Sequence, residues 1–327
     1  MDPSGGHPPI PQKSRLITRL PADATLVHWD LQRGGPAVAS LRQSYRFCAE
    51  SPDGKFLAAS DTVTGELTLF ANSDDLTRPL DEQPIARWDS ESRIDWIVFS
   101  PDSQTLLVTR SPHTAHPVQD LRNITGILLD VPAMKQREPI PLPQMRKPKF
   151  SPDGRQIVYD AIRELGLWDR AGQRVPWQFS EEAPILQKCF SPDGTMIAVA
   201  LLDRQVVVRN TVDGAVRFRV TNHSLDPAFY HGAIDDSMIF APESRTLLTA
   251  STSLNLTFWH VATGQELLQI SLPRTARKLE FLEGGRRLVC HLQEPKINFE
   301  SLMNTIDELL ILNATEPEVE LALPDVK

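Results

Sequence analysis

Phe150-Ser151-Pro152-Asp153-Gly154 is the stretch on which the reading of this chain turns, because it returns unchanged as Phe190-Ser191-Pro192-Asp193-Gly194. Looser copies are Ala49-Glu50-Ser51-Pro52-Asp53-Gly54, Phe99-Ser100-Pro101-Asp102-Ser103 and Phe240-Ala241-Pro242-Glu243-Ser244. Phe281-Leu282-Glu283-Gly284-Gly285 is the weakest. An apolar residue that closes a strand, followed by Pro-Asp-Gly, is a tight turn with a mechanism. Proline presets φ, aspartate bonds its own backbone, and glycine takes φ > 0 without steric cost. The copies fall at Ser51, Ser100, Ser151, Ser191, Ala241 and Leu282, so the chain repeats every 40 to 51 residues. A unit of about 40 residues with insertions of about ten suits four short strands per repeat.

One unit reads most clearly between Ile185 and Val220. Ile185 to Phe190 enters the turn and Met196 to Leu201 leaves it. Gln205 to Arg209 is short and β-branched, Val212-Asp213-Gly214 is a second turn, and Ala215 to Val220 closes the unit. These are strands a, b, c and d, from the inside outwards. The next unit repeats the plan with Met238 to Phe240, Thr246 to Ser251, Leu256 to Trp259 and Leu267 to Leu272. The last has Leu309 to Leu312 and Val319 to Leu323. No stretch has a convincing helical period, and the best helix candidate is Ser301 to Leu310. Repeated four-strand units point to an all-β fold, a β-propeller.

The Phe-Ser-Pro-Asp-Gly turns and the strand-c endings His28-Trp29-Asp30 and Leu167-Trp168-Asp169, with Trp259-His260 as a degenerate form, resemble the WD-repeat β-propeller family from about Thr25 to Pro324. The Gly-His pair usual before strand a is absent, and His231-Gly232 is reversed. Packing between blades is therefore expected to rest on apolar contact. Arg15 to Leu20, Thr25 to Asp30 and Ala37 to Leu41 read as strands b, c and d of one further blade. The expectation is a seven-bladed β-propeller with one three-stranded blade. Six blades plus an N-terminal appendage is the alternative. Residues 1–13 read as a flexible segment and 14–324 as a single domain. The resemblance implies ring closure, and a chain cut from a longer protein would also explain the missing strand.

Composition narrows the function classes. The 327 residues carry 34 Lys and Arg against 42 Asp and Glu, a net charge of −8, which disfavours nucleic acid and anionic membrane as partners. Arg146-Lys147-Pro148-Lys149 is the densest cationic run and reads as a solvated strand edge. Cys48, Cys189 and Cys290 are too far apart for a metal set and sit in apolar strands, as small buried thiols. Met1 to Gln12 lacks a secretory core, and no apolar run nears the roughly 20 residues of a membrane span. The default location is the cytoplasm.

In this strand order, loops a–b and c–d open at one end of each sheet, and loops b–c and d–a at the other. The insertions Arg110 to Gly126, Thr221 to Asp235 and Leu292 to Asp307 then project from one face, and Ala71 to Gln83, acidic and solvated, from the opposite face. Loops on a rigid scaffold concentrate binding residues, and aromatic and arginine side chains are the usual interface anchors. The expected partner-binding residues are Arg110, His113, Arg122, Phe229, Tyr230, His231, Asn298 and Phe299, and the expected partner is a protein or peptide. His113 and His116, with His223 or His231, are the only arrangement with metal-ligand character, and loop histidines are more often solvated. No cofactor and no metal is expected. Asp53, Asp153 and Asp193 recur with the turn and read as structural, since an active site would occur once. The expectation is a non-catalytic scaffold. A propeller hydrolase or isomerase, or a regulatory module of a larger chain, are the alternatives.

Overall fold

The structure is a computed structural model that describes residues 15–19, 26–30, 35–37, 45–61, 64–71, 84–112, 123–137, 139–142, 144–221, 237–251, 253–293, 308–313 and 319–322. Strands β1 (Arg15–Arg19), β2 (Leu26–Asp30) and β3 (Gly35–Ala37) form a three-stranded sheet. Six four-stranded sheets follow. The first contains β4 (Tyr45–Glu50), β5 (Phe56–Asp61), β6 (Glu66–Ala71) and β7 (Pro84–Asp89). The second contains β8 (Arg93–Phe99), β9 (Thr105–Ser111), β10 (Thr125–Asp130) and β11 (Lys135–Gln136). The third contains β12 (Arg146–Phe150), β13 (Gln156–Ala161), β14 (Glu164–Asp169) and β15 (Arg174–Ser180). The fourth contains β16 (Ile185–Phe190), β17 (Met196–Leu201), β18 (Gln205–Asn210) and β19 (Val216–Thr221). The fifth contains β20 (Met238–Phe240), β21 (Thr246–Ala250), β22 (Asn255–His260) and β23 (Glu266–Ser271). The last contains β24 (Thr275–Leu282), β25 (Arg287–Gln293), β26 (Glu308–Asn313) and β27 (Val319–Ala322). Each sheet is an antiparallel meander in chain order, so the architecture is all-β and propeller-like.

The middle strands explain the short continuous apolar runs in the sequence. Both faces of each sheet are covered, so alternation is lost. All six residues of β17 are buried, and so are the four central residues of β13, β14 and β18. The cores lie between successive sheets. Leu167 and Trp177 of the third sheet meet Ile185 and Val199 of the fourth, and Val208 of the fourth packs with Phe240 and Trp259 of the fifth. Burying one such side chain contributes about 1.5–3 kcal/mol, and stacking supplies it only where a neighbour is present. The fourth strands are the outer edges. β23 is exposed at five of its six positions, with Leu267 and Leu268 half in solvent.

Two expected elements shift. The third strand of the three-stranded sheet is Gly35–Ala37 rather than Ala37 to Leu41. The ladder pairs Asp30 with Gly35 and His28 with Ala37, which starts the strand two residues early, and residues 38–44 lie outside the described ones. The helical alternative over 301–310 gives way to β26, paired residue by residue with β25 from Arg287↔Asn313 to Leu292↔Glu308. Residues 301–307 are outside the described set.

Packing between sheets is not apolar alone. Lys188 Nζ of β16 donates to Asp160 Oδ1 of β13 at 2.5 Å, with both residues 2% exposed. Gln187 Nε2 donates to Met238 O at 3.5 Å, and Gln187 Oε1 accepts from Ser237 Oγ at 3.0 Å. Trp177 Nε1 donates to Thr211 O at 2.8 Å. Polar side chains therefore join the apolar contacts between sheets. The first strands also share a device: the pairing of first and second strands slips at Tyr45/Phe47, Ile94/Trp96, Arg146/Lys149, Ile185/Gln187 and Ala276/Lys278. A bulge there bends the strand and adds local twist.

Candidate functional site

The Ser-Pro-Asp-Gly turns account for their own polar groups. Ser51, Ser100, Ser151 and Ser191 donate Oγ–H to Asp53, Asp102, Asp153 and Asp193 at 2.5–2.7 Å. Each aspartate also accepts the amide two residues on, from Lys55, Gln104, Arg155 and Thr195. Burial alone would raise the Asp53 and Asp102 carboxyls, but the serine hydroxyl and the amide outweigh it and hold both below 3.8. These carboxylates are spent on turns.

Where glycine is replaced by serine, the turn acquires a link to the preceding sheet. Ser103 and Ser244 adopt φ of 60° and 59°, like Gly54, Gly154 and Gly194. Their Oγ atoms accept the amides of Asp53 and Asp193, each at 3.1 Å, across the sheet boundary.

At the opposite end, the strands leave 112–124, 222–237 and 294–307 between them, so the first and third insertions are shorter than the sequence suggested and the second ends two residues later. Arg110 is corrected from loop to strand. It lies in β9, pairs with Thr125 and Ile94, and donates NH1–H to Ser90 O at 2.5 Å. His113, Arg122, Phe229, Tyr230, His231, Asn298 and Phe299 lie outside the described residues, as do His116 and His223.

The cationic run of β12 is not a solvated edge. Arg146 and Pro148 are buried, and β12 is a first strand lying beside β8. Arg146 NH1 stands 3.7 Å from Asp160 Oδ2, so Arg146 and Lys188 share one buried carboxylate. Solvent is excluded from this cluster by sheets on both sides. At the last sheet, burial first, and then the Lys278 charge, push the His291 imidazole down to about 3, with Glu280 pulling the other way. Burial raises the Cys290 thiol to about 12, so it stays protonated.

An open groove of about 670 Å3 lies beside the third sheet, at the end that carries its Pro-Asp-Gly turn. One wall is Arg137, Pro139, Ile140 and Pro141. Arg137 N donates to Leu128 O at 2.8 Å and Ile140 N to Gly126 O at 2.9 Å, which keeps this stretch on β10 beyond the two-residue β11. Pro139 and Pro141 have no N–H for a longer ladder. The other wall is the Asp153–Arg155 turn with Arg170, Ala171 and Gln173, and Leu128 and the buried Trp168 also line the groove. Arg170 donates NH1–H to Gly154 O at 2.7 Å, with its guanidinium carbon 5.3 Å from the Phe150 ring centroid. Burial, and then the neighbouring Arg137 charge, hold the Arg170 guanidinium below its ordinary value, against the pull of Asp102. Arg137 is tied to Asp130 through Nε at 2.6 Å, and Arg155 points into solvent with Asp153 3.9 Å away.

Sequence reasoning missed this groove. Its signal was an arginine directly after the Pro-Asp-Gly turn, Arg155, and another directly after Leu-Trp-Asp, Arg170, both on turns that open at the same end. Compared with known proteins, the chain matches no family model and no curated protein sequence. Among the described residues, no group of three or more His, Cys, Asp or Glu side chains is placed to hold a metal ion, and no helix is long and apolar enough to cross a membrane.

Proposed function

We propose that the chain is a WD-repeat-like, seven-bladed propeller closed through the three-stranded sheet, and that it acts as a non-catalytic scaffold. It binds a protein or peptide partner through the end carrying the three insertions, with Phe229, Tyr230 and Phe299 as aromatic anchors and Arg110 at the base. The observation that carries this reading is the consumption of the repeated carboxylates by their own turns, which leaves a platform with three of its four long insertions at one end. The net charge of −8 favours a protein partner over nucleic acid or an anionic bilayer.

Affinity capture with the intact chain tests the scaffold role. Tyr230→Ala with Phe299→Ala is expected to abolish capture while the thermal midpoint stays put. Capture that survives both changes in a folded protein removes the assignment of this face. Solution scattering tests closure, because an open arc of sheets would have a larger radius of gyration than a ring.

A further inference from the structure

We propose that the groove formed by Arg137, Pro139–Pro141, Asp153–Arg155 and Arg170 binds an acidic peptide segment of a protein partner. It lies at the opposite end of the sheets from the three insertions, so it does not rest on the assignment made there.

Three observations converge. The first is charge. Among the described lining residues, Arg137, Arg155 and Arg170 face one carboxylate, Asp153, whose Oδ1 accepts from Ser151 Oγ and the Arg155 amide and whose Oδ2 lies 3.9 Å from Arg155 Nε. Asp130 holds the Arg137 fork in place, and Asp102 acts on Arg170 from outside the groove lining. Guanidinium forks match carboxylates in two-point geometry, so a carboxylate set between Arg137 and Arg170 would relieve the repulsion between them.

The second is preorganisation. Arg170 is fixed by the Gly154 carbonyl and the Phe150 ring, and the proline wall is fixed to β10 by the Arg137 and Ile140 amides. Little side-chain freedom is then lost on binding, which favours affinity.

The third is shape and polarity. About 670 Å3, with the exposed Pro139 and Pro141 on its apolar side over the buried Leu128, Ile140 and Trp168, suits a few residues of peptide with apolar side chains between the acids. Trp168 is only 4% exposed, so it offers no stacking face to a nucleic-acid base.

The test is fluorescence anisotropy of the full chain with a short labelled peptide that alternates glutamate and leucine, run beside the same peptide carrying glutamine. The informative variant is Arg155→Glu. Its control is Arg245→Glu, an exposed arginine that follows the equivalent turn two sheets away and makes the same change in net charge. Arg155→Glu is expected to weaken binding roughly tenfold and Arg245→Glu less than about twofold, with unchanged thermal midpoints for both. Equal losses from the two variants would assign the binding to overall charge and overturn the proposal. It is overturned equally if the glutamine peptide binds as well as the glutamate peptide, or if the glutamate peptide does not bind the intact chain at low salt. Loss of capture by the insertion-bearing face leaves this result unaffected, so the two readings fail separately.

Discussion

Ser103 offers a direct test of whether the departures from Pro-Asp-Gly are decay or design. Ser103 is 1% exposed, sits at φ 60° and accepts the Asp53 amide of the preceding sheet at 3.1 Å. A residue with a Cβ costs about 1–2 kcal/mol in this left-handed region. A neutral hydrogen bond returns a net of about 0.5–1.5 kcal/mol. Ser103→Ala keeps the strain and loses the bond, so it should destabilise by about 1 kcal/mol. Ser103→Gly loses the bond but relieves the strain, and should stay within about 0.5 kcal/mol of the native protein. Urea unfolding of the three proteins reads the order directly. With a slope of about 3 kcal/mol/M, the alanine midpoint should fall by roughly 0.3 M. Were alanine to unfold with the native protein and glycine clearly above it, the serine would be a strained remnant and the link between sheets would carry nothing. Ser244, which accepts the Asp193 amide, should repeat the order.

Three further outcomes follow from the same geometry. Asp160→Asn should cost more than Lys188→Met, because the first removes the carboxylate that two buried cations share and the second leaves Asp160 beside Arg146; removing one member of a buried pair costs about 3–5 kcal/mol, so equal unfolding midpoints would contradict the shared-carboxylate reading. His291 is held neutral in the fold, with its pKa lowered to about 3 from 6.5. The unfolded chain therefore binds the extra proton first, and stability falls as pH drops from 6.5 towards 3; His291→Gln should flatten that limb of a pH–stability curve by up to roughly 3 kcal/mol. Gly166→Ala should destabilise by about 1–3 kcal/mol, since the Tyr159 ring of the paired strand occupies the place of the missing Cβ, and the added Tyr159→Ala change should recover part of a loss read by thermal melting.

The legible part of this chain was its local chemistry. Proline, aspartate and glycine at fixed offsets specify a turn whatever surrounds it, and the strands beside Phe150 and Phe190 appeared where the turns required. The endings Leu167-Trp168-Asp169 and Trp259-His260 closed β14 and β22, as expected. The reading failed where partners come from another sheet. Arg146-Lys147-Pro148-Lys149 looks solvated because nothing in its own repeat can bury it, and only β8 and the Lys188–Asp160 pair explain its position. Arg110 looked like loop because the ladder that keeps it in β9 is completed by Thr125, on the far side of an insertion. The arginine groove was hidden for the same reason. Arg137 and Arg170 stand on different sheets and are 33 positions apart in the chain.

By itself, the sequence determined the repeat, the turn type, the four-strand plan and the shorter first sheet. Each rests on φ preferences and hydrogen bonds within a few residues. Only the tertiary structure decided which polar side chains cross from sheet to sheet, that Ser103 and Ser244 act as links rather than as imperfect glycines, and where cations gather at an open surface. Those outcomes depend on how sheets stack, and stacking energy comes from buried area and shape shared by residues about 50 positions apart, which no local pattern encodes.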